Sequence, residues 1–380
     1  MGQYDLTDEQ LMLQDMVRKI AIIDIKPIAG QFERDEKYPP ELKELFKKQG
    51  IFAIPYPEEY GGTGGGLFDM CIVVEELSKV DASSGMVALN HELAATPILI
   101  AGTEVQKKKY ISQVASGDTY MAFGLTEPDA GSDVASMRTK AVDMGDYYLV
   151  NGAKRYISFA EDSGVMTLFA KTDTSKGAKG ISAFIVELDW PGITVGRHED
   201  KMGFRAIQAN EVYFDDVKIP KENLLGKEGS GFKTAMLTLN ATRPLIGSVG
   251  VGLSQGALDD AIEYAKQRIQ FGKPISENQG LQWMMADMAM KIEAARQLVY
   301  KAACLADNDD PNAAKFGAMA KCYATDIAMS VAVDAVQICG GAGYMKEYPF
   351  ERRMRDAKLL QIVEGTNQIQ RIVISSYLLA

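Results

Sequence analysis

Apolar positions recur every three or four residues from Thr7 to about position 120, the spacing of helices that lay one face on a core. Thr7 followed by Gln10 reads as a capping box ahead of LMLQDMVRKIA. Pro39 and Pro40 open a helix, ELKELFKKQG, that Gly50 stops. Helical spacing resumes after the glycine-rich stretch 60–66, in FDMCIVVEELSKV, and again over 97–114. Near Met121 the period changes. The runs YYLVNG, KRYIS, VMTLFAKT, ISAFIVEL, ITVGR and EVYFDDV predict an antiparallel β unit, with Asn151-Gly152 read as a hairpin turn. After Gly229 the helical period returns, with helices expected at about 244–268, 277–307, 312–338 and 357–378. Four long helices on short connections predict a four-helix bundle. The expected fold is α+β and mainly α, with a helical domain over 1–120, a β domain over 121–230 and a C-terminal bundle over 231–380.

Composition narrows the partners. Asp and Glu number 51 against 41 Lys and Arg, giving a formal charge of -10. Nucleic acid and anionic membranes both need a positive surface, so neither is expected as the main partner. No apolar run is expected to span a bilayer. Cys71, Cys304, Cys322 and Cys339 form no CxxC pair, and with only two histidines no zinc or other metal site is expected. Free thiols fit a reducing compartment. The opening MGQYDLTDEQ has the character of neither a secretory signal nor a transit peptide, so a cytoplasmic location is expected.

Four segments carry candidate chemistry. MAFGLTEPDAGSD (121–133) has the turn-forming residues that expose backbone N–H groups, suited to a ring edge or a phosphate, or to an ordinary turn. RIQFGKPISENQ (268–279) sets an Arg able to grip a phosphate beside an aromatic able to cover a flat ring. QICGGAGY (337–344) allows close backbone approach after a helix, or merely caps it. QIVEGTNQIQR (361–371) places Glu364 before a glycine in an apolar stretch, where desolvation would make it a stronger base; a capping or salt-bridged Glu is the plainer reading.

In this order and architecture, LTEPDAGSD, QFGKPI, GGAGY and VEGTNQIQR resemble the signature stretches of the acyl-CoA dehydrogenase family along essentially the whole chain. PILIAGTEVQKKKY and LNATRP also resemble family segments. The resemblance implies a helical N-terminal domain, a middle antiparallel β-barrel, a C-terminal four-helix bundle, bound FAD and a homotetramer. It implies contacts to the flavin or the CoA arm for Leu125, Thr126 and Ser132, and flavin contacts for Tyr156 and Ser158. Arg268, Phe271 and Gln279 match positions reaching the FAD of a neighbouring subunit. Gln337, Gly340 and Gly341 match contacts to its ADP part, and Thr366 and Gln368 match further FAD contacts. Arg243 matches an Arg near CoA, and Val363 and Gly365 flank the substrate. Glu364 matches the catalytic base of the short- and medium-chain branch; other members place theirs where Thr242 stands, and a Thr cannot serve. The implied reaction is α,β-dehydrogenation of an acyl-CoA to a 2-enoyl-CoA, with electrons passed to an electron-transfer flavoprotein.

Three departures bear on the acyl group. Tyr156 replaces a frequent Trp, and Val363 replaces a frequent Tyr, widening the space beside the base. NHEL (90–93) stands where many members read close to HNSL, which makes His91 and Glu92 unusual ionisable candidates near the acyl tail; His91 is read either as a surface or capping residue or, with Glu92, as part of a pocket for a branched, cyclic or carboxylated acyl group, with a second proton-transfer role open to either. On the same fold, an oxygen-using acyl-CoA oxidase and an enoyl-CoA reductase remain alternatives; a non-catalytic acyl-CoA-binding protein is a remoter one.

Overall fold

The computed structural model describes residues 6–379; the opening MGQYD and Ala380 lie outside them. The described residues open with six α-helices: α1 (Asp8–Ile20), α2 (Ala29–Arg34), α3 (Pro40–Lys48), α4 (Leu67–Val80), α5 (Ala82–Ala101) and α6 (Glu104–Ala115). The expected capping box is present, with Thr7 Oγ1 accepting from the N–H of Gln10 and the Gln10 side chain accepting from that of Thr7. Gly50 ends the α3 segment at φ 70, a conformation that suits a residue without Cβ.

Eight strands follow: β1 (Tyr120–Gly124), β2 (Lys140–Asp143), β3 (Tyr147–Ser158), β4 (Ser163–Lys171), β5 (Ile181–Glu187), β6 (Ile193–His198), β7 (Ala209–Pro220) and β8 (Leu224–Leu225). Their order is β6-β7-β3-β2-β4-β5-β8, with β1 beside β4. The edge strands β6 and β8 do not pair, so the sheet is open and the expected closed barrel is not formed. It is also mixed: β1 enters from α6 and runs parallel to β4, as does the start of β2 at Lys140. Asn151-Gly152 makes no hairpin. β3 runs straight through it, and the register against β7 slips between Val150 and Gly152. The pair marks a bulge, held by two hydrogen bonds of 2.9 Å between the Asn151 amide and Asp216.

The last part is helical: α7 (Gly231–Gln267), a two-strand ribbon at Ile269–Gln270 and Lys273–Pro274, α8 (Gln279–Asp307), α9 (Ala313–Cys339), α10 (Phe350–Leu360) and α11 (Asn367–Leu379). Two corrections matter for the site. α7 starts well before Pro244 and carries that proline in its interior. The fourth expected helix is two helices, broken at 361–366. A third correction concerns membranes. The stretch Ala313–Tyr344 is long and apolar enough to cross a bilayer by length and composition, although 44% of its most apolar window is buried inside the protein. Its alanines pack in the core between helices, which explains the hydropathy without a lipid.

One hydrophobic core runs through both helical parts, joining Val17, Phe46 and Leu77 to Val249, Val299, Val331 and Leu360. A second joins α5 and α6 to the sheet through Ala94, Ile98, Ile111, Phe169 and Leu225. Together they fix α5, α7 and the 361–366 break relative to one another.

Candidate active site

The break between α10 and α11 presents Glu364. α10 ends at Leu360, and Asn367 opens α11 with Thr366 before it, whose Oγ1 accepts from the N–H of Ile369 at 3.2 Å. Between them Glu364 has φ 52 and Gly365 φ 88. A left-handed Glu is uncommon and costs about 1 kcal/mol or more. The surroundings hold it there. Gln370 Nε2 donates to the carbonyls of Glu364 (3.0 Å) and Gly365 (2.9 Å), and Lys321 Nζ donates to Gly365 O at 2.9 Å. A Cβ on Gly365 would stand 2.8 Å from Gln370 Nε2, so the glycine permits both the turn and the brace.

The Glu364 carboxyl faces α7. Thr242 Oγ1 donates to Glu364 Oε2 at 2.7 Å, and Oε1 is buried with no partner. The two positions at which the family resemblance places a base therefore meet in space, the Thr orienting the Glu. Burial pushes the Glu364 carboxyl up to about 7, against the pull of Thr242, Lys321 and Arg243. One oxygen oriented and one free, on an acid poised near neutrality, is the arrangement of a general base. Proton abstraction needs the carboxylate, so kcat/KM is expected to rise about tenfold per pH unit below 7 and level off above it. A flat profile between pH 5 and 8 would show that another group takes the proton.

Arg243 is buried beside it, with Nη1 on Asn240 Oδ1 at 2.5 Å and Nε unpartnered. Val363 packs against the helical core. On α5 the two residues of the NHEL segment part company. His91 is buried between the rings of Phe52 (4.5 Å) and Tyr120 (4.3 Å), both ring nitrogens unpartnered. Burial and nearby Lys43 push it down to about 3, so it is neutral. Glu92 instead senses Glu364. Burial, then Asp307 and Glu364, push its carboxyl up to about 8, and its Oε2 is buried without a partner.

The segment from 125 to 132 is brought against β3. Lys154 Nζ donates to Leu125 O (3.2 Å) and Glu127 Oε1 (2.7 Å), and the Arg155 N–H donates to Thr126 O (2.9 Å). Glu127 also accepts from the N–H groups of Arg138 and Thr139. Leu125 is buried, Ser132 exposed, and Thr126 and Ser158 half-buried at this edge. Tyr156 projects outward at φ 58, 59% exposed, with the Arg155 guanidinium 4.9 Å from its ring centre. Lys154 and Glu127 were not singled out by sequence; a Lys inside an alternating strand gives no sign that it points inward.

Arg268, Gln279, Gln337, Gly340, Gly341 and Gln368 lie at the surface, and Phe271 is 100% exposed at φ 51. A Cβ at Gly340 or Gly341 would meet nothing within 4 Å. These residues are left free to meet something outside this chain. Thr366 Oγ1 accepts in the α11 cap and keeps its own proton to donate.

Comparison with known proteins extends this geometry. Residues 7–118, 122–217 and 229–379 match the family models of the acyl-CoA dehydrogenase N-terminal, middle and C-terminal domains. The chain is similar to an acyl-CoA dehydrogenase of Bacillus subtilis, 47% identical over 98% of this chain and 99% of that one. It is similar to butyryl-CoA dehydrogenase from Megasphaera elsdenii, with TM-score 0.97 and 42% identity over the full length of both. A chain from a structure of the electron transferring flavoprotein of Acidaminococcus fermentans matches with TM-score 0.97 and 47% identity, covering 99% of each.

Proposed function

Because the chain belongs to the acyl-CoA dehydrogenase family, whose members are oxidoreductases, we propose that it carries FAD and oxidises the Cα–Cβ bond of an acyl-CoA, with Glu364 as the base. The observation that carries the reading is the Glu364 carboxyl, one oxygen on Thr242 and the other free.

The residues present fit a flavin. Leu125, Thr126, Ser132, Tyr156 and Ser158 would meet its ring system along the braced edge of β3. Arg268, Phe271, Gln279, Gln337, Gly340 and Gly341 would hold the FAD of a neighbouring copy, which accounts for a phenylalanine left fully exposed. Gln368 would add a contact on α11. When bound, FAD supplies the acceptor for the hydride that leaves Cβ. Glu364 Oε1 takes the Cα proton, and Thr242 keeps the other oxygen turned away from it. Among the described residues the Glu364 N–H has no hydrogen-bond acceptor, so it would be free to donate to the thioester oxygen as negative charge develops there. Arg243 holds positive charge near the same carboxyl and would also favour the CoA arm. The product is a 2-enoyl-CoA.

A homotetramer is proposed on the family resemblance, and the exposure of Ile269, Trp283 and Met290, large apolar side chains that a second copy would cover, supports self-association. An electron-transfer flavoprotein is proposed as the electron acceptor, on the similarity to the Acidaminococcus fermentans chain. A cytoplasmic location stays part of the proposal.

For the acyl group, Val363 leaves room beside the base, and Glu92 adds a polar, uncharged wall at neutral pH. We therefore expect activity beyond straight chains. Anaerobic bleaching of the flavin band with straight, branched, cyclic and dicarboxylic acyl-CoAs tests both points. Rapid bleaching by one class identifies the substrate. No bleaching by any of them, with flavin bound, overturns the direction proposed and leaves enoyl-CoA reduction; substrate-dependent oxygen uptake would instead mark an oxidase. Glu92→Leu should lower kcat/KM about tenfold more for a carboxylated acyl-CoA than for butyryl-CoA, the loss of one buried hydrogen bond. Equal losses on both would remove Glu92 from acyl recognition.

A further inference from the structure

Lys321 lies on α9, fully buried at 0% exposure. Its Nζ donates to two neutral oxygens, Gly365 O at 2.9 Å and Asn367 Oδ1 at 2.9 Å. Taking an ammonium out of water costs several kcal/mol unless an opposite charge answers it. Gln370 already braces the same turn from α11, donating to both carbonyls without any charge. A second brace that carries a desolvated charge needs a reason beyond shape.

The surrounding charges supply one. Of the titratable groups acting on Lys321, Glu364 acts most strongly, ahead of Cys322, Arg243 and Asp326. Of the cations acting on Glu364, Lys321 acts more strongly than Arg243. From α5, Glu92 faces the same carboxyl as a like charge when ionised. Thr242 and Arg243 face it from α7, and α11 contributes the neutral Gln370. Lys321 is thus the main positive charge behind the base and is anchored to the backbone of the turn that presents it.

We propose that Lys321 is a positioning residue for the base: its ammonium, anchored on Gly365 O and Asn367 Oδ1, holds the left-handed turn and keeps Glu364 ionisable inside the protein. This rests on the reading of Glu364 as base, and it adds a division of labour. Gln370 shapes the turn, whereas Lys321 shapes it and sets its charge. Burial pushes Lys321 itself down to about 8, with Glu364 pulling the other way, so the two groups stabilise each other's charged forms. In the resting protein each makes the other's buried charge tolerable.

The test reads the carboxyl directly. An infrared pH titration of the purified holoprotein, with the Glu364 band identified by its absence in Glu364→Gln, should give a midpoint near 7. In Lys321→Met and in Lys321→Gln the midpoint should rise by about one unit or more, the size of one nearby charge. That is about tenfold less carboxylate at any lower pH. Lys321→Gln retains hydrogen-bonding capacity, so a shift there reports charge. Gln370→Ala removes the neutral brace and should leave the midpoint unmoved. Midpoints in both Lys321 variants equal to the parent overturn the proposal. Should neither variant fold, the reciprocal measurement decides: the Lys321 ammonium, followed by nitrogen NMR of labelled lysine, should titrate lower in Glu364→Gln than in the parent. An unchanged lysine overturns the proposal. None of these readouts uses turnover. A shifted midpoint with no bleaching by any acyl-CoA would sink the functional reading alone; bleaching with an unshifted midpoint would sink this inference alone.

Discussion

Glu364→Gln should abolish flavin bleaching by every acyl-CoA, by roughly 10³- to 10⁴-fold, while leaving the protein folded and yellow. Gln keeps an oxygen for the Thr242 hydroxyl and the same reach into the site, so only the proton acceptor is lost. Stability should move the opposite way. The folded-state value near 7 lies above the ordinary 4.5, so the native protein holds this proton more tightly than the unfolded chain. The stability from Glu364 is therefore fully present below about 4.5 and is lost as pH rises through about 7. At pH 8 the parent carries that loss, up to about 3 kcal/mol, and the Gln variant does not. Denaturant unfolding should show the variant more stable at pH 8 and the difference closing by pH 5. An inactive variant that is also less stable at pH 8 would mean Glu364 is a structural anion with no burial cost. A variant that still bleaches with its cyclic or straight-chain substrate would remove Glu364 from the chemistry altogether.

The strain at this residue explains why the sequence disclosed it only in part. VEGTN contains the instructions: a glycine for the left-handed exit from one helix and a threonine to cap the next. Apolar periodicity on both sides is strong enough to suggest one helix over 357–378, and period alone cannot see a break that spares the pattern. Pro244 misled in the opposite sense. It has the look of a helix start, yet α7 runs through it, and Thr234, Thr238 and Thr242 hydrogen-bond back onto the carbonyls one turn earlier. That continuity brings Thr242 to Glu364, where its one hydroxyl proton goes to the carboxyl at 2.7 Å in preference to the Thr238 carbonyl at 3.2 Å. Asn151-Gly152 shows the same ambiguity in the sheet: its conformational freedom serves a bulge as readily as a hairpin. The residues of the candidate site are legible as types and motifs. Which of two adjacent side chains faces the site is not, because His91 and Glu92 differ by one helical step, and only the packing of Phe52 and Tyr120 on one face decides it.

Lys154→Met should cost about 3–5 kcal/mol and, with it, most of the retained FAD. Lys154 and Glu127 form an ion pair of 2.7 Å with side chains 0% and 4% exposed. Burial pushes Lys154 down to about 8. Burial alone would raise Glu127, but Lys154 and two N–H donors outweigh it and hold the carboxyl below its ordinary value. Removing the cation strands a buried carboxylate, and that, more than the lost attraction, is what destabilises. The loss is local. Lys154 also holds Leu125 O, so the edge that Leu125 and Thr126 would offer to a flavin loses its anchor while the helical core is untouched. Denaturant unfolding and the FAD-to-protein absorbance ratio after gel filtration measure the two effects. Adding Glu127→Gln should recover part of the stability, since the stranded charge is then gone, while FAD retention stays low because the Leu125 anchor is still missing. Recovery of both together would show that the pair acts on the flavin edge through stability alone. A Lys154→Met protein with unchanged unfolding and full flavin would mean that the 125–127 turn is held by the N–H groups of Arg138 and Thr139 on the Glu127 carboxylate and of Arg155 on Thr126 O, without help from the lysine.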